Sequence, residues 1–376
     1  MNFNLSDEQN MVKDSLARFV ADNYDQVARN SAVANEQGFS PDNWQTFAEL
    51  GWLSMAFDED MGGFGGTATD VMVVMEELGK GLVAEPYLAT VLLFGGLLAE
   101  SGKGDLQQEL IGRLIEGQLQ GAFAYLERQS RFEITDICTT AQESSDGFTL
   151  NGEKTVVFNG AVADKFIVTA RTAGDQCDEE GISLFLVDAD AAGISKTAYR
   201  LMDGQLVCNI RLDNVQVGKA ALLGEQHKGY DVMQPVIQRA MIALSAEALG
   251  IMEKLTATTV EYSKTRKQFG VAIGSFQVLQ HRMVDMFIAA EQTKSLLYRA
   301  VCSSDAESSE AEKDVIALKV MTGRSGKLVG GEAIQLHGGM GMADELDVGH
   351  YVKRLMMINT TFGDADYNER RFSALG

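Results

Sequence analysis

Arg266-Lys267-Gln268-Phe269-Gly270-Val271-Ala272-Ile273-Gly274-Ser275-Phe276-Gln277 interrupts a long helical region. Helical patterns without breakers run on both sides of it, Ala240 to Thr265 and Phe276 to Cys302. A second unusual run, Gln335-Leu336-His337-Gly338-Gly339-Met340-Gly341, closes the next helix, Val315 to Leu336. An Arg fork can hold a pyrophosphate bidentately. Paired glycines let the backbone approach a bulky anion closely. Together the two runs predict a phosphate-rich cofactor lying across helices.

Outward from these runs the chain divides by hydrophobic period. The first 120 or so residues read as helical. Ser6 and Gln9 form a capping box before an apolar stripe of Met11, Val12, Leu16, Phe19 and Val20. Ser40-Pro41 starts another helix with Trp44, Phe47 and Leu50 on one face and Gly51 at its end. Gly62-Gly63-Phe64-Gly65-Gly66 reads as a connection between helices, because no Lys or Ser follows in a P-loop pattern. From Gly121 to His227 the period changes. Phe148 to Leu150, Asn151-Gly152 and Lys154 to Phe158 predict a β-hairpin with an Asn-Gly turn. Lys165 to Arg171, Ile182 to Val187 and Leu206 to Leu212 are further β-rich segments. The fold class expected is α+β, mostly α. It has an N-terminal helical bundle (1–120), a central antiparallel β-barrel or sandwich (121–227) and a C-terminal four-helix bundle (228–376).

The chain of 376 residues suffices for two or three domains with sizeable cores. Its net charge of −21 argues against nucleic acid and anionic membranes as partners. Any anionic ligand must be held by a local basic cluster. Cys138, Cys177, Cys208 and Cys302 show no metal-ligand spacing and read as free thiols in a reducing compartment. His227, His281, His337 and His350 show none either, so no metal is expected. The N-terminus lacks the pattern of a signal peptide, and no stretch was expected to reach transmembrane length, which suits a cytoplasmic protein.

The three-part order and the two runs resemble the acyl-CoA dehydrogenase family over essentially the whole length. The resemblance implies FAD clasped by the β-domain and the C-terminal bundle, with contacts crossing a subunit boundary in a homo- or heterotetramer. It implies that Arg266 meets the FAD pyrophosphate with Gln268 and Phe269 beside it, and that Gln277 lies near the adenosine half. Gln335, Gly338 and Gly339 match the Gln-x-x-Gly-Gly that receives the pyrophosphate from a neighbouring subunit. Arg239 matches a family arginine near the acyl-CoA. Val156-Val157-Phe158 stands where a Trp-Ile-Thr triplet packs on the isoalloxazine, so Val156 and Phe158 are flavin-side candidates without that hydroxyl. Ala124 to Arg131 replaces a Glu-Pro-Gly-x-Gly-Ser loop; within it Ser130 and Arg131 are substrate-side candidates, Arg131 for the distal carboxylate of a dicarboxyl-CoA.

Desaturation of an acyl-CoA needs a carboxylate against Cα while hydride leaves Cβ. The family supplies it as Glu, either nine residues after an arginine on the last helix or just before the substrate arginine. Here those positions are Gly363, counted from Arg354, and Gln238 before Arg239. Asp364 is the catalytic candidate that remains, one residue beyond the expected point. Glu247, two turns after Arg239, is expected to satisfy a structural contact. The run from His350 to Asp366 is most similar to the pimeloyl-CoA dehydrogenase small subunit type, which implies action with a large subunit. Three readings follow: an FAD-dependent acyl-CoA dehydrogenase subunit feeding an electron-transfer flavoprotein, a non-catalytic partner completing another subunit's site, or a flavin enzyme of another reaction class on the same fold.

Overall fold

Helices dominate the computed structural model, which describes residues 5–376. In chain order they are α1 (Asp7–Asn23), α2 (Gln26–Ala34), α3 (Pro41–Glu49), α4 (Ala68–Gly81), α5 (Gly96–Glu100), α6 (Asp105–Ile115), α7 (Gly229–Thr265), α8 (Gln277–Asp305), α9 (Ala311–His337), α10 (Val348–Thr360) and α11 (Ala365–Ala374). The strands are β1 (Gly121–Ala124), β2 (Thr140–Glu143), β3 (Gly147–Phe158), β4 (Lys165–Arg171), β5 (Ile182–Asp188), β6 (Ile194–Arg200), β7 (Leu206–Gly218), β8 (Leu222–Leu223), β9 (Lys267–Gln268) and β10 (Val271–Ala272). The chain folds as two compact units that cut across the linear division at 120 and 227. One runs to Ser31, then takes Thr67–Val83 and Met241–Gly376; the other takes Ala32–Gly66 and Ala84–Ala240.

In the first unit, α1 begins at the expected capping box. Ser6 Oγ accepts from the Gln9 amide at 3.1 Å, and the Gln9 side chain accepts from the Ser6 amide at 2.9 Å. Leu16 and Phe19 are buried while Met11, at the outer edge of the stripe, is exposed. α4 and α7 touch backbone to backbone. A Cβ on Gly79 would lie 2.2 Å from the Glu247 carbonyl oxygen, and one on Gly250 would lie 2.0 Å from that of Glu76. Only glycine at both positions permits so close a crossing. α9 packs against α8, α10 and α11. α11 was not foreseen; its start is set by Asp364, whose carboxylate accepts from the Tyr367 amide at 2.8 Å.

The second unit centres on an eight-stranded sheet ordered β6-β7-β3-β2-β4-β5-β8, with β1 also paired to β4. It does not close into a barrel, and the β1–β4 and β2–β4 pairings are parallel, not antiparallel. The predicted hairpin at Asn151-Gly152 is absent: β3 is one continuous strand. Asn151 opposes both Asp213 and Asn214, because the register passes from Leu150↔Val215 to Gly152↔Leu212. The Asn151 side chain accepts from the Asn214 amide at 2.8 Å. Pairing to β2 on one side and β7 on the other outweighed the local turn preference, and the extra residue became a β-bulge. The strand β6 was missed because it lacks an apolar-in, polar-out alternation: five of its seven residues are exposed and the other two half-buried, as an edge strand allows.

Phe148, Leu150, Phe166, Val168, Phe185, Ile210 and Val215 fill the sheet's apolar core. Each such side chain contributes about 1.5–3 kcal/mol relative to exposure. α3 is capped by Ser40 as expected, and Gly51 takes φ 76 after it. Trp44 and Phe47 are buried, but Leu50 is exposed because it is the C-cap, past the helical face. The run Tyr87–Gly95 is a buried π-helical stretch. One helix, α7, is long and apolar enough to cross a membrane, contrary to the sequence expectation; 83% of its apolar window is buried, as in a core helix.

Candidate functional site

The two runs that opened the sequence reading meet in the first unit. Tyr262, Arg266, Gln268, Ile273, Gln335, Leu336, His337, Gly338, Gly339 and Met340 line an open recess of about 400 Å³. α7 ends at Thr265, and the chain turns through the β9–β10 hairpin, paired Val271↔Gln268 and Ala272↔Lys267. The Ile273 amide donates to the Arg266 carbonyl at 2.8 Å and closes it. Phe269 and Gly270 form the tip with φ 54 and φ 83, the left-handed pair that tight hairpins require. Glycine meets this at no steric cost; Phe269 holds it as a bulky residue 92% exposed, edge-on to Phe276 at 6.4 Å.

The opposite wall is the end of α9. His337 is buried, its Nδ1 lies 2.9 Å from the Ala333 carbonyl, and Tyr262 stacks on the ring at 4.3 Å. The Tyr262 hydroxyl donates to the His337 carbonyl at 3.4 Å. Gly338 breaks the helix with φ 60, ψ −142, which favours glycine. A Cβ built on Gly338 or Gly339 would meet no atom within 4 Å. The space beside both glycines is therefore open to a ligand. Arg266 makes no ion pair among the described residues, so its guanidinium is available to one. A cationic fork, two side-chain amides and open glycine backbone suit a diphosphate. The donor set fits the diphosphate half of FAD.

The remaining candidates are not among the residues that line the recess. Gln277 opens α8 outside its lining, and Phe269 is at the hairpin tip. In the second unit, Phe158 packs with Ala89 and Val207, and Val156, Tyr199 and Leu201 adjoin them. Val156 holds φ 52, an uncommon strain for a β-branched residue, and its amide donates to the Asn209 side chain at 3.1 Å. Ser130 is buried; its hydroxyl donates to the Glu127 carbonyl at 2.9 Å and accepts from the Glu127 amide at 3.0 Å. Arg131 is exposed, with φ 49. Arg239 pairs with Glu100 at 2.7 Å on the surface.

The carboxylates near the expected base positions are engaged. Glu247 is buried and binds Arg354 through both oxygens, at 2.5 and 2.7 Å. Asp364 caps α11. Gly363 has φ 96, and its carbonyl accepts from Lys319 Nζ at 2.8 Å and from Asn368 Nδ2 at 2.9 Å. Lys319 is fully buried and also donates to the Ile358 and Asn359 carbonyls, at 3.0 and 2.9 Å. It thus staples the end of α10 to the turn before α11. Sequence reasoning missed Tyr262 and Lys319. Tyr262 lies one turn before Arg266 on the same helix face, and Lys319 is a lone charge within Val315-Ile316-Ala317-Leu318-Lys319-Val320.

In the β-sheet unit, Glu127 forms a buried hub. It accepts from Lys154 Nζ at 2.7 Å and from the Cys138 and Thr139 amides at 2.8 and 3.0 Å. Burial alone would raise its pKa, but the Lys154 ammonium and these donors hold it down to about 2.

Comparison with known proteins covers nearly the whole chain. Residues 6–118, 122–215 and 227–372 match the family models for the acyl-CoA dehydrogenase N-terminal, middle and C-terminal domains. The probable acyl-CoA dehydrogenase YngJ of Bacillus subtilis is 29% identical over 93% of this chain and 92% of its own length. The L-prolyl-[peptidyl-carrier protein] dehydrogenase of a Serratia species is 30% identical over 92% of this chain and 90% of its own. The solved structure of PigA with FAD and proline matches with TM-score 0.92 at 28% identity, over 100% of this chain and 98% of that one. The ChsE4–ChsE5 complex from Mycobacterium tuberculosis matches with TM-score 0.90 at 27% identity, over 100% and 98%.

Proposed function

Because the chain belongs to the acyl-CoA dehydrogenase family, we propose that it is one subunit of an FAD-dependent dehydrogenase of acyl thioesters, working beside a second, different chain. The observation that carries this is the recess in which Arg266, Gln268, Gln335, Gly338 and Gly339 converge. There Arg266 would clasp the FAD diphosphate while the Gly338–Gly339 backbone approaches it. When bound, FAD supplies the acceptor for the hydride that leaves the substrate Cβ. Phe269, exposed at the hairpin tip, would lie beside Arg266 at the diphosphate, and Gln277, at the start of α8, would lie near the adenosine half. Val156 and Phe158 would face the flavin ring from the sheet.

The proton at Cα needs its own acceptor, and this chain is poorly equipped to provide one. Gly363 has no side chain, Gln238 carries no charge, and Glu247 is held by Arg354 through both oxygens. Asp364 is the carboxylate next to the expected point, and its cap to Tyr367 directs it to α11. A partner chain that brings a Glu would complete the site, and the two-chain ChsE4–ChsE5 relative supports that arrangement. Arg239 and the Ser130–Arg131 turn are the substrate-side groups, and an electron-transfer flavoprotein is the expected electron acceptor. A cytoplasmic heterotetramer goes with this proposal, and a homotetramer would go with activity of the lone chain.

Purified chain should be yellow, and Arg266→Ala should lose FAD while still folding. Anaerobic acyl-CoA should bleach the flavin of the pair of chains and not of this chain alone. Bleaching of the lone chain that disappears in Asp364→Asn would make Asp364 the base. A colourless chain that takes up no added FAD, alone or with its partner, would remove the proposal.

A further inference from the structure

Cys138 and Cys177 are exposed, whereas Cys208 is buried and Cys302 half-buried. Both lie in loops of the β-sheet unit, and those loops are strapped together. The Ile137 amide donates to the Gln176 carbonyl at 3.0 Å, so each cysteine directly follows a member of that bond. Gln176 Nε2 donates to Asp136 Oδ1 at 2.6 Å. The Arg171 guanidinium grips both loops at once. One terminal nitrogen donates to the Thr135 and Gln176 carbonyls, at 2.8 and 2.7 Å; the other donates to those of Asp178 and Glu180, at 2.8 and 2.9 Å. The Cys138 amide is itself fixed on Glu127 at 2.8 Å.

We propose that Cys138 and Cys177 are a thiol pair that closes to an intrachain disulfide in the presence of a glutathione-type disulfide. The strap holds the two backbones within hydrogen-bonding distance at Ile137 and Gln176, the residues next to each thiol, and so keeps the two loops side by side. The thiols also feel one another: burial raises the Cys138 pKa first, then the Glu127 and Asp136 charges, with Cys177 adding in the same sense. A raised pKa leaves less of Cys138 as the nucleophilic thiolate, so entry is drawn at Cys177, which sits in the exposed turn after β4. The Cys177 thiolate attacks glutathione disulfide, forms a mixed disulfide and releases one glutathione thiolate. The Cys138 thiolate then attacks the Cys177 sulfur and releases the second. The protein loses two protons and two electrons, and the oxidant becomes two glutathione thiols. Closure bolts the loop from Leu126 to Thr139, which carries Ser130 and Arg131, to the turn after β4. In a reducing compartment the pair stays open. This chemistry does not depend on flavin binding.

The test uses the full chain, purified without reductant, incubated with oxidised glutathione and acid-quenched. Thiol titration should fall from four free thiols to two, and peptide mass mapping should find one cross-link joining the Cys138 and Cys177 peptides. The oxidised chain should melt at a higher temperature than the reduced one. Cys138→Ser should instead hold glutathione on Cys177 and show no such rise. Separate glutathione adducts on both cysteines, a cross-link to Cys208 or Cys302, or an unmodified pair would each overturn the proposal; the wild-type map decides even if the variant folds poorly.

Discussion

The buried pair of Glu247 and Arg354 offers a sharp test of what holds the helical unit together and of what does not take protons there. Both side chains are less than a tenth exposed, 9% and 8%, and the two contacts of 2.5 and 2.7 Å make a bidentate fork. Water cannot screen a charge left in that site. Breaking a buried pair by removing one partner costs about 3–5 kcal/mol, because the surviving charge loses its counter-charge without regaining water. Replacing both partners by apolar residues of similar volume removes the pair's desolvation cost too, and comes out near neutral. Glu247→Met and Arg354→Met should therefore each cost about 3–5 kcal/mol, and the double variant far less than their sum, a coupling of at least about 3 kcal/mol. The assay is urea unfolding followed by circular dichroism, on FAD-saturated full-length chains, comparing the four members of the cycle. Additive losses would show that the pair does not hold α7 to α10. Glu247→Gln that unfolds like wild type yet abolishes flavin reduction would show Glu247 to be the proton acceptor, and the structural assignment would fall.

Three further outcomes follow from named contacts. Gly250→Ala drives a Cβ to within 2.0 Å of the Glu76 carbonyl oxygen, so α4 and α7 must separate. A loss of about 1–3 kcal/mol is expected by the same unfolding assay, and an unchanged midpoint would refute the backbone crossing. Glu127 has its folded pKa held below the ordinary carboxylate value, at about 2 instead of 4.5. Its contribution is thus full above pH 4.5 and is lost as pH falls towards 2; Glu127→Gln should flatten the stability–pH curve across that window. Gly363→Glu should not create a working base. The residue sits at φ 96, and a Cβ would meet Tyr367 at 2.4 Å and Asn368 at 2.7 Å, so the variant should lose stability without gaining flavin reduction by acyl-CoA. Gain of turnover would show that the turn is not locked by Lys319 and Asn368.

Local signals in the chain were legible because their physics is local. The Ser6–Gln9 box, the Ser40–Pro41 start and the Gly51 stop each satisfy backbone groups within a few residues, so composition at short spacing was enough to place them. The Arg266 run and the Gln335 to Gly341 run carried the family by residue type alone. Asn151-Gly152 misled for the same reason: its turn preference is local, whereas the strands on both sides of β3 pair with it from far along the chain. The open sheet, the Gly79–Gly250 crossing and the fork between Glu247 and Arg354, 107 residues apart, were decided by packing. So was the meeting of Arg266 with Gly338 in one recess of a single chain. Periodicity says which face of an element is apolar; only the folded chain says which other face it meets, because contact energies depend on distance in space and not along the sequence.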